Sequence, residues 1–257
     1  MRRVLVTNDD GVNSPGLVVL AKAVLAAGLQ PLVAAPLREA SGTSASMQAV
    51  EQEGRIVVHN WPLPELPGVT SYGVESHPAF IVFAACRGAF NGPPDLVVSG
   101  INRGANIGHA VLHSGTVGAA LTAGINQVRA LAVSLDMADQ DPNPHWDTAQ
   151  SLVEQVLPLV QATEPGTVLN LNVPNLPLEQ VRELRRARLS RFGIVQFGVE
   201  ELTDGWLRMT LTENTRELEA GTDAALLAAG HATITALKSV NEASLATLPE
   251  SIPLTHG

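Results

Sequence analysis

The stretch that decides the fold is Arg2-Arg3-Val4-Leu5-Val6-Thr7-Asn8-Asp9-Asp10-Gly11. Val4, Leu5 and Val6 form a short apolar run rich in β-branched residues, the pattern of a buried parallel strand. Asn8, Asp9 and Asp10 are poor strand formers, and Gly11 marks a turn. A helix signal comes at once, with Ser14 as N-cap, Pro15 as first helical residue, and Leu17, Val18, Leu20, Ala21, Val24 and Leu25 beyond. Strand, acidic turn and helix in that order put Asp9 and Asp10 at the carboxyl end of the first strand, where open α/β sheets bind ligands. Two neighbouring carboxylates repel each other unless a proton or cation intervenes. Oxygen donors of this kind suit Mg²⁺, Mn²⁺ or Ca²⁺.

The alternation continues outward. Leu32 to Ala35 reads as a second parallel strand ended by Pro36, and a Gly/Ser-rich loop runs from Ala40 to Ser46. Arg55 to His59 and Ser71 to Val74 read as short strands around a Pro-rich connection. A helix is expected from Pro78 to Phe90 and a buried strand from Asp95 to Ser99. A helix from Val117 to Asn126, capped by Ser114 or Thr116, leads to a strand from Ala130 to Ser134. A helix from Thr148 to Gln161 and a strand from Val168 to Val173 complete the series. Such alternation predicts an α/β fold, a Rossmann-like, mostly parallel sheet with helices on both faces. After Pro174 the pattern changes. Arg182 to Gln196 and Trp206 to Thr212 alternate like antiparallel arms, Ala224 to Ala229 reads as a short helix, and His231 to Thr235 as a returning strand. The chain reads as one domain over 1–257, with a catalytic core at 1–175 and a β-rich accessory excursion or oligomerisation arm at 176–257.

Composition narrows the function classes. Of 257 residues, 45% are hydrophobic and 16% charged, enough for a sizeable core and against disorder. Aromatics are only 4%, so Ala, Val and Leu must fill the interior. The net charge of -9 disfavours non-specific nucleic-acid binding, and an anionic substrate then needs a local cation. Cys86 is the single cysteine and sits in an apolar run, so it reads as a buried, inert thiol. The chain enters a strand at once and has no apolar stretch of transmembrane length, so the expected setting is cytoplasmic, away from membranes.

Three polar loops fall at predicted strand ends and would converge on one edge of a parallel sheet. They are Asn8-Asp9-Asp10-Gly11, Ser41-Gly42-Thr43-Ser44, and Ser99-Gly100-Ile101-Asn102 leading to Asn106 and His113-Ser114-Gly115-Thr116. Asp9, Asp10, Ser41 and Asn102 match a magnesium-type site, which uses one or two carboxylates and keeps positions for water or phosphate oxygens. Ser114, Gly115 and Thr116 open a helix, whose free N–H groups and hydroxyls make a phosphate cradle. Asn106 adds a further donor, and Arg103 can add a charge-assisted bond to phosphate. Each piece alone has a plainer reading: a turn, a flexible loop, a helix cap or a solvated charge. His77 and His109 lack metal-ligand spacing and read as structural or supporting; His113 stands apart because it adjoins the phosphate loop.

In combination these residues carry a resemblance. The Asn-Asp-Asp-Gly turn with Asn13, Pro15 and Gly16, the Ser41-Gly42 loop, Ser99 to Asn102 with Gly104 and Asn106, and Ser114-Gly115-Thr116-Val117 resemble the SurE family, the stationary-phase survival proteins. The match covers the N-terminal two thirds, including Asn172-Val173-Pro174; the last third fits loosely. The resemblance implies a metal-dependent phosphomonoesterase acting on nucleoside 5′- and 3′-monophosphates, with one divalent cation, Mg²⁺ or Mn²⁺. It further implies Asp9, Asp10, Ser41 and Asn102 as ligands, and a homodimer or homotetramer built by exchanged C-terminal segments. The sequence departs from the family pattern at Leu37, where an Asp usually comes after the proline, at Ala40, where a basic residue is common, and over Glu75 to Phe80. None of these touches the expected ligands. They bear instead on the leaving-group side and on substrate preference.

The expected chemistry is in-line attack by water, with the cation neutralising the phosphate dianion and Asp9 or Asp10 assisting as general base. Asn106, Ser114, Gly115 and Thr116 would hold the non-bridging oxygens. No residue reads as a covalent nucleophile. The main alternative is a phosphate- or nucleotide-binding or phospho-acceptor signalling module without turnover. An acceptor module needs an Asp at a third strand end, where this chain has Ser99 and Asn102, and it would be about half this length. A dinucleotide-dependent oxidoreductase is disfavoured because no Gly-rich fingerprint comes after the first strand.

Overall fold

The computed structural model describes residues 2–49, 51–52, 55–137, 141–191, 195–202, 206–213 and 218–241. The elements in chain order are β1 (Arg3–Thr7), α1 (Pro15–Ala26), β2 (Gln30–Pro36), β3 (Glu51–Gln52), β4 (Arg55–Ile56), β5 (Val58–Asn60), β6 (Ser71–Val74), α2 (Pro78–Cys86), β7 (Leu96–Arg103), a 3₁₀ turn at Gly108–His113, α3 (Gly115–Ile125), β8 (Arg129–Asp136), α4 (Trp146–Ala162), β9 (Val168–Pro174), β10 (Leu184–Arg186), β11 (Val195–Glu201), β12 (Leu207–Glu213), α5 (Asp223–Ala228) and β13 (Ala232–Leu237). Among the described residues the main sheet has nine strands in the order β10-β13-β9-β8-β7-β1-β2-β6-β5. The six strands from β6 to β9 in that order run parallel. β5 and β13 are antiparallel to their neighbours β6 and β9.

Period-two alternation along the strands divides the core into two layers. Val4, Val6, Val33 and Val98 face α1 and α4, packing with Leu17, Leu20, Val24, Val153 and Val156. Leu5, Ala34, Val97 and Ala132 face α2 and α3, packing with Ile81, Val82, Val117 and Ala120. The second layer is built largely of Ala and Val, as the scarcity of aromatics requires. Strand order reverses around β1: the chain winds outward through β2 and β6, then crosses back to β7 and continues to β8 and β9. The carboxyl ends of β1 and β7 therefore border the crevice in which doubly wound sheets place their ligands.

Several boundaries differ from the sequence reading. α2 stops at Cys86, because Arg87 to Gly92 fold into successive tight turns. β7 runs on to Arg103, with its pairing to β8 shifted between Ser99 and Asn102. Asn102 and Arg103 thus stand on the strand, not in the loop after it. The run from Arg55 to His59 divides into β4 and β5, which belong to different sheets. Arg182 to Gln196 is not one antiparallel arm: β10 pairs parallel with β13, and Gln196 lies in the separate β11–β12 hairpin. Residues 192–194 of that run lie outside the described residues. The region after 175 also joins the main sheet through β10 and β13. The buried carboxylate of Asp223, at the start of α5, accepts hydrogen bonds from the Gly108 and Ser190 N–H groups at 2.7 and 2.8 Å. No helix among the described residues is long and apolar enough to cross a membrane.

Candidate active site

Asn8 shapes the turn at the end of β1. Its carboxamide donates to the Gly11 carbonyl (3.0 Å) and the Ser14 hydroxyl (2.7 Å) and accepts from the Gly11 N–H (3.2 Å). Ser14 in turn caps α1. With Asn8 turned inward, Asp9 and Asp10 are left to border the cleft. The Ser41 loop is tied in by the Ala40 N–H donating to the Asp9 carbonyl at 2.7 Å and by the Ser44 hydroxyl donating to the Leu112 carbonyl at 2.5 Å. Asn102 donates its amide to the Gly104 carbonyl at 2.7 Å, and its Oδ1 is the atom suited to a cation.

The cleft, of about 920 Å³, is lined by Asp9, Asp10, Ser41, Asn102, Arg103, Asn106, His113 and Ser114, together with Asn13 and Glu39. All four expected metal ligands therefore share one cavity with Arg103 and two of the expected phosphate-binding residues. Their donors suit a hard cation: two carboxylates, a hydroxyl and a carboxamide oxygen. The Ser41 hydroxyl donates to Glu39 Oε1 at 2.6 Å, and a hydroxyl that donates can also accept or ligate through its oxygen. Among the described residues no group of three or more His, Cys, Asp or Glu converges in metal-binding fashion, so such a site depends on Ser41 and Asn102.

Asp9 is buried, and desolvation pushes its carboxyl above the usual carboxylate range. The Thr116 hydroxyl donates to Asp9 Oδ1 and offsets part of that rise, as do the backbone N–H groups of Asp9, Thr116 and Gly115. A bound cation would supply the charge that burial withholds. The same contacts involve the residues of the expected phosphate cradle. Ser114 borders the cleft, but Thr116 is fully buried with its hydroxyl spent on Asp9. Gly115 abuts the same carboxylate: a Cβ there would lie 2.7 Å from Asp9 Oδ2. The first turn of α3 donates to Asp9, and a helix N-terminus is a favourable place for a negative charge.

Asn106 keeps its expected place through contacts that the sequence reading missed. Its N–H donates to Asn172 Oδ1 (2.8 Å), its carbonyl accepts from Asn170 and Asn172, and its side-chain amide donates to the Ser134 hydroxyl (2.8 Å). One amide hydrogen remains for a ligand. The signal was present: Asn170 and Asn172 alternate with Leu169, Leu171 and Val173 in a buried strand, where unsatisfied amides would be costly. Glu39 was missed, and Asn13 was named only as a motif residue with no role at the cleft. Asn13 Oδ1 accepts from the Trp61 indole N–H at 2.9 Å.

The model of the family described as "Survival protein SurE" matches residues 4–195. The chain belongs to the SurE family. A protein of Dehalococcoides mccartyi named 5′-nucleotidase SurE is 38% identical over 213 residues, covering 80% of this chain and 78% of its own. The 5′/3′-nucleotidase SurE of Erwinia tasmaniensis is 35% identical over 240 residues, covering 91% and 89%. The crystal structure of the SurE protein from Aquifex aeolicus superposes with a TM-score of 0.76 at 27% identity, over 92% of this chain and 93% of that one. The SurE match extends past β9 to Val195, so it takes in β10 and residues that the sequence reading assigned to an accessory excursion.

Proposed function

We propose that this chain is a divalent-cation-dependent phosphomonoesterase that hydrolyses nucleoside 5′-monophosphates, and 3′-monophosphates as a second substrate class, to nucleoside and phosphate. The observation that carries the reading is the convergence of Asp9, Asp10, Ser41 and Asn102 on one cleft with Asn106 and Ser114. Membership of the SurE family, and relatives named 5′-nucleotidase and 5′/3′-nucleotidase, support it.

Asp9, Asp10, Ser41 and Asn102 would hold Mg²⁺ or Mn²⁺, which when bound supplies positive charge against the phosphate dianion and acidifies water. Asn106 and Ser114 donate to the non-bridging oxygens, and Arg103 adds a charge-assisted bond. Asp9 or Asp10 takes the proton of the attacking water. The phosphorus–oxygen bond to the nucleoside breaks in line, and His113 gives the leaving oxygen its proton. Imidazole is suited to that task near neutral pH. The active form is a homodimer or homotetramer, which light scattering measures directly.

The test is turnover of adenosine 5′-monophosphate before and after exhaustive chelation, with Mg²⁺ or Mn²⁺ added back. Chelation should abolish turnover and lower the thermal midpoint, and the cation should restore both. Full turnover after chelation would sink the mechanism.

A further inference from the structure

Asp223 is a buried carboxylate that the proposed chemistry does not use. It stands at the start of α5, far along the chain from the expected ligands, yet it reaches a loop of the cleft. Its Oδ2 accepts from the Gly108 N–H at 2.7 Å, across 115 positions of chain. Its Oδ1 accepts from the N–H groups of Ser190 and Ala224 at 2.8 and 2.9 Å. Hydrogen bonds to a charged oxygen are the strong ones. The base of this clasp is fixed in turn: the Asp223 N–H donates to the Arg188 carbonyl at 2.8 Å, which sets the start of α5 beside Ser190.

Gly108 opens the 3₁₀ turn that ends at His113. The first N–H groups of a helical turn have no partner within it, and Ile107, the residue before this one, supplies no side-chain cap. Asp223 meets the first of them, and the Ser190 carbonyl accepts from the second, the His109 N–H, at 3.1 Å. The fit is close: a Cβ on Gly108 would lie 2.5 Å from the Ser190 hydroxyl oxygen and 2.7 Å from its carbonyl oxygen. The far part of the same turn reaches the cleft. Ala110, His113 and Ser114 line it, and the Leu112 carbonyl takes the hydrogen bond from Ser44 in the Ser41 loop. A turn of six residues clasped at its start passes a shift there on to His113, with little chain between to absorb it.

We infer that Asp223 is a positioning residue: through the Gly108 N–H it sets the 3₁₀ turn, and so the place of His113 in the cleft. The inference rests on the nucleotidase reading, in which His113 protonates the leaving oxygen. Its test compares two phosphomonoesters with the cation-loaded protein. Adenosine 5′-monophosphate has an alkoxide leaving group that needs that proton; para-nitrophenyl phosphate has a stabilised phenolate that does not. In Asp223→Asn the amide oxygen keeps the bonds from Ser190 and Ala224, and the NH₂ group faces the Gly108 N–H, donor against donor. This variant should lower kcat for adenosine 5′-monophosphate about tenfold relative to that for para-nitrophenyl phosphate. Amide hydrogen exchange over residues 108–113 should quicken with it. Gly108→Ala, which presses the turn away from Ser190, should move the ratio the same way. The Thr222 hydroxyl caps α5 by accepting from the Ala225 N–H, without touching the turn. Thr222→Val should therefore lower the thermal midpoint and leave the ratio unmoved. A ratio within about twofold of the parent's in both Asp223→Asn and Gly108→Ala, or an equal shift in Thr222→Val, overturns the positioning role and leaves the nucleotidase reading standing. Absence of adenosine 5′-monophosphate turnover by the parent protein overturns that reading and the inference with it.

Discussion

Helices α1 and α3 begin at the same cleft and use the same device. Each has a serine N-cap, Ser14 or Ser114, whose hydroxyl accepts from the N–H three residues on, at 3.3 and 3.1 Å. Each has a glycine in its first turn where a side chain would collide. The residues after the cap differ. In α1 the first residue is Pro15, which has no N–H to offer, and Gly16 makes room for the backbone carbonyl of Ile101 in β7. In α3 the first residues are Gly115 and Thr116, which donate to Asp9. One helix start is closed by the strand backbone; the other is closed by the Asp9 carboxylate that borders the cleft. An identical capping motif therefore does not mark a ligand site. The group facing the free N–H positions does.

Asp9→Asn is the strongest way to break this contrast. It should lower kcat/KM for a nucleoside monophosphate by at least about a thousandfold, the scale of losing several kcal/mol of charge stabilisation. The same variant should be more stable than the parent in cation-free buffer at neutral pH. The sign comes from burial. An acid whose folded pKa lies above its unfolded value stabilises the fold fully below the unfolded pKa, and that contribution is lost as pH rises through the folded value. The raised Asp9 carboxyl thus disfavours the cation-free fold at neutral pH, and Asn removes the charge. A thermal midpoint for Asp9→Asn below that of the parent at pH 7 would contradict this assignment of the buried charge.

Gly115→Ala comes next. Its Cβ would push on Asp9 Oδ2, so turnover should fall together with about 1–3 kcal/mol of stability, the cost of overpacking. Gly16→Ala should cost stability with a smaller effect on turnover per folded molecule, since it presses on strand backbone. Comparing urea midpoints with active-site-normalised rates separates the two. Thr116→Val removes the hydroxyl from Asp9 at nearly constant volume. The acidic limb of the pH–rate profile should move to higher pH, because that hydrogen bond favours the ionised carboxylate. The smallest effects belong to the caps. Ser14→Ala and Ser114→Ala should each cost about 1 kcal/mol of stability. Only Ser114→Ala should also raise KM several-fold; equal KM values in the two variants would erase the difference between the two helix starts.

The sequence made the cleft legible because several of its lining residues come from strand ends. Asp9 and Asp10 come directly after an unmistakable buried strand, and Ser114 precedes an unmistakable helix, so local pattern and topology together place them. The bond from Thr116 to Asp9 was not legible, because a free helix N-terminus and one already met by a distant carboxylate look identical in sequence. Only the approach of the first turn of α3 to the turn after β1 separates them. The continuation of β7 to Arg103 was hidden by Gly100, which reads as a strand end. β10 was misread because its partner, β13, lies nearly fifty residues away, and alternation alone does not reveal whether a strand pairs parallel or antiparallel. Glu39 escaped notice for a different reason: its place comes from a cavity wall that no short motif encodes.

The hydrogen bond from the Trp61 indole to Asn13 gives the protein a built-in optical gauge. Asn13 borders the cleft, whereas Trp206, 71% exposed, emits from water. Occupancy of the cleft that shifts Asn13 changes the environment of one indole out of the three in the chain. A change in emission on adding cation or inorganic phosphate, absent in Trp61→Phe, would read binding in a protein that is turning over nothing.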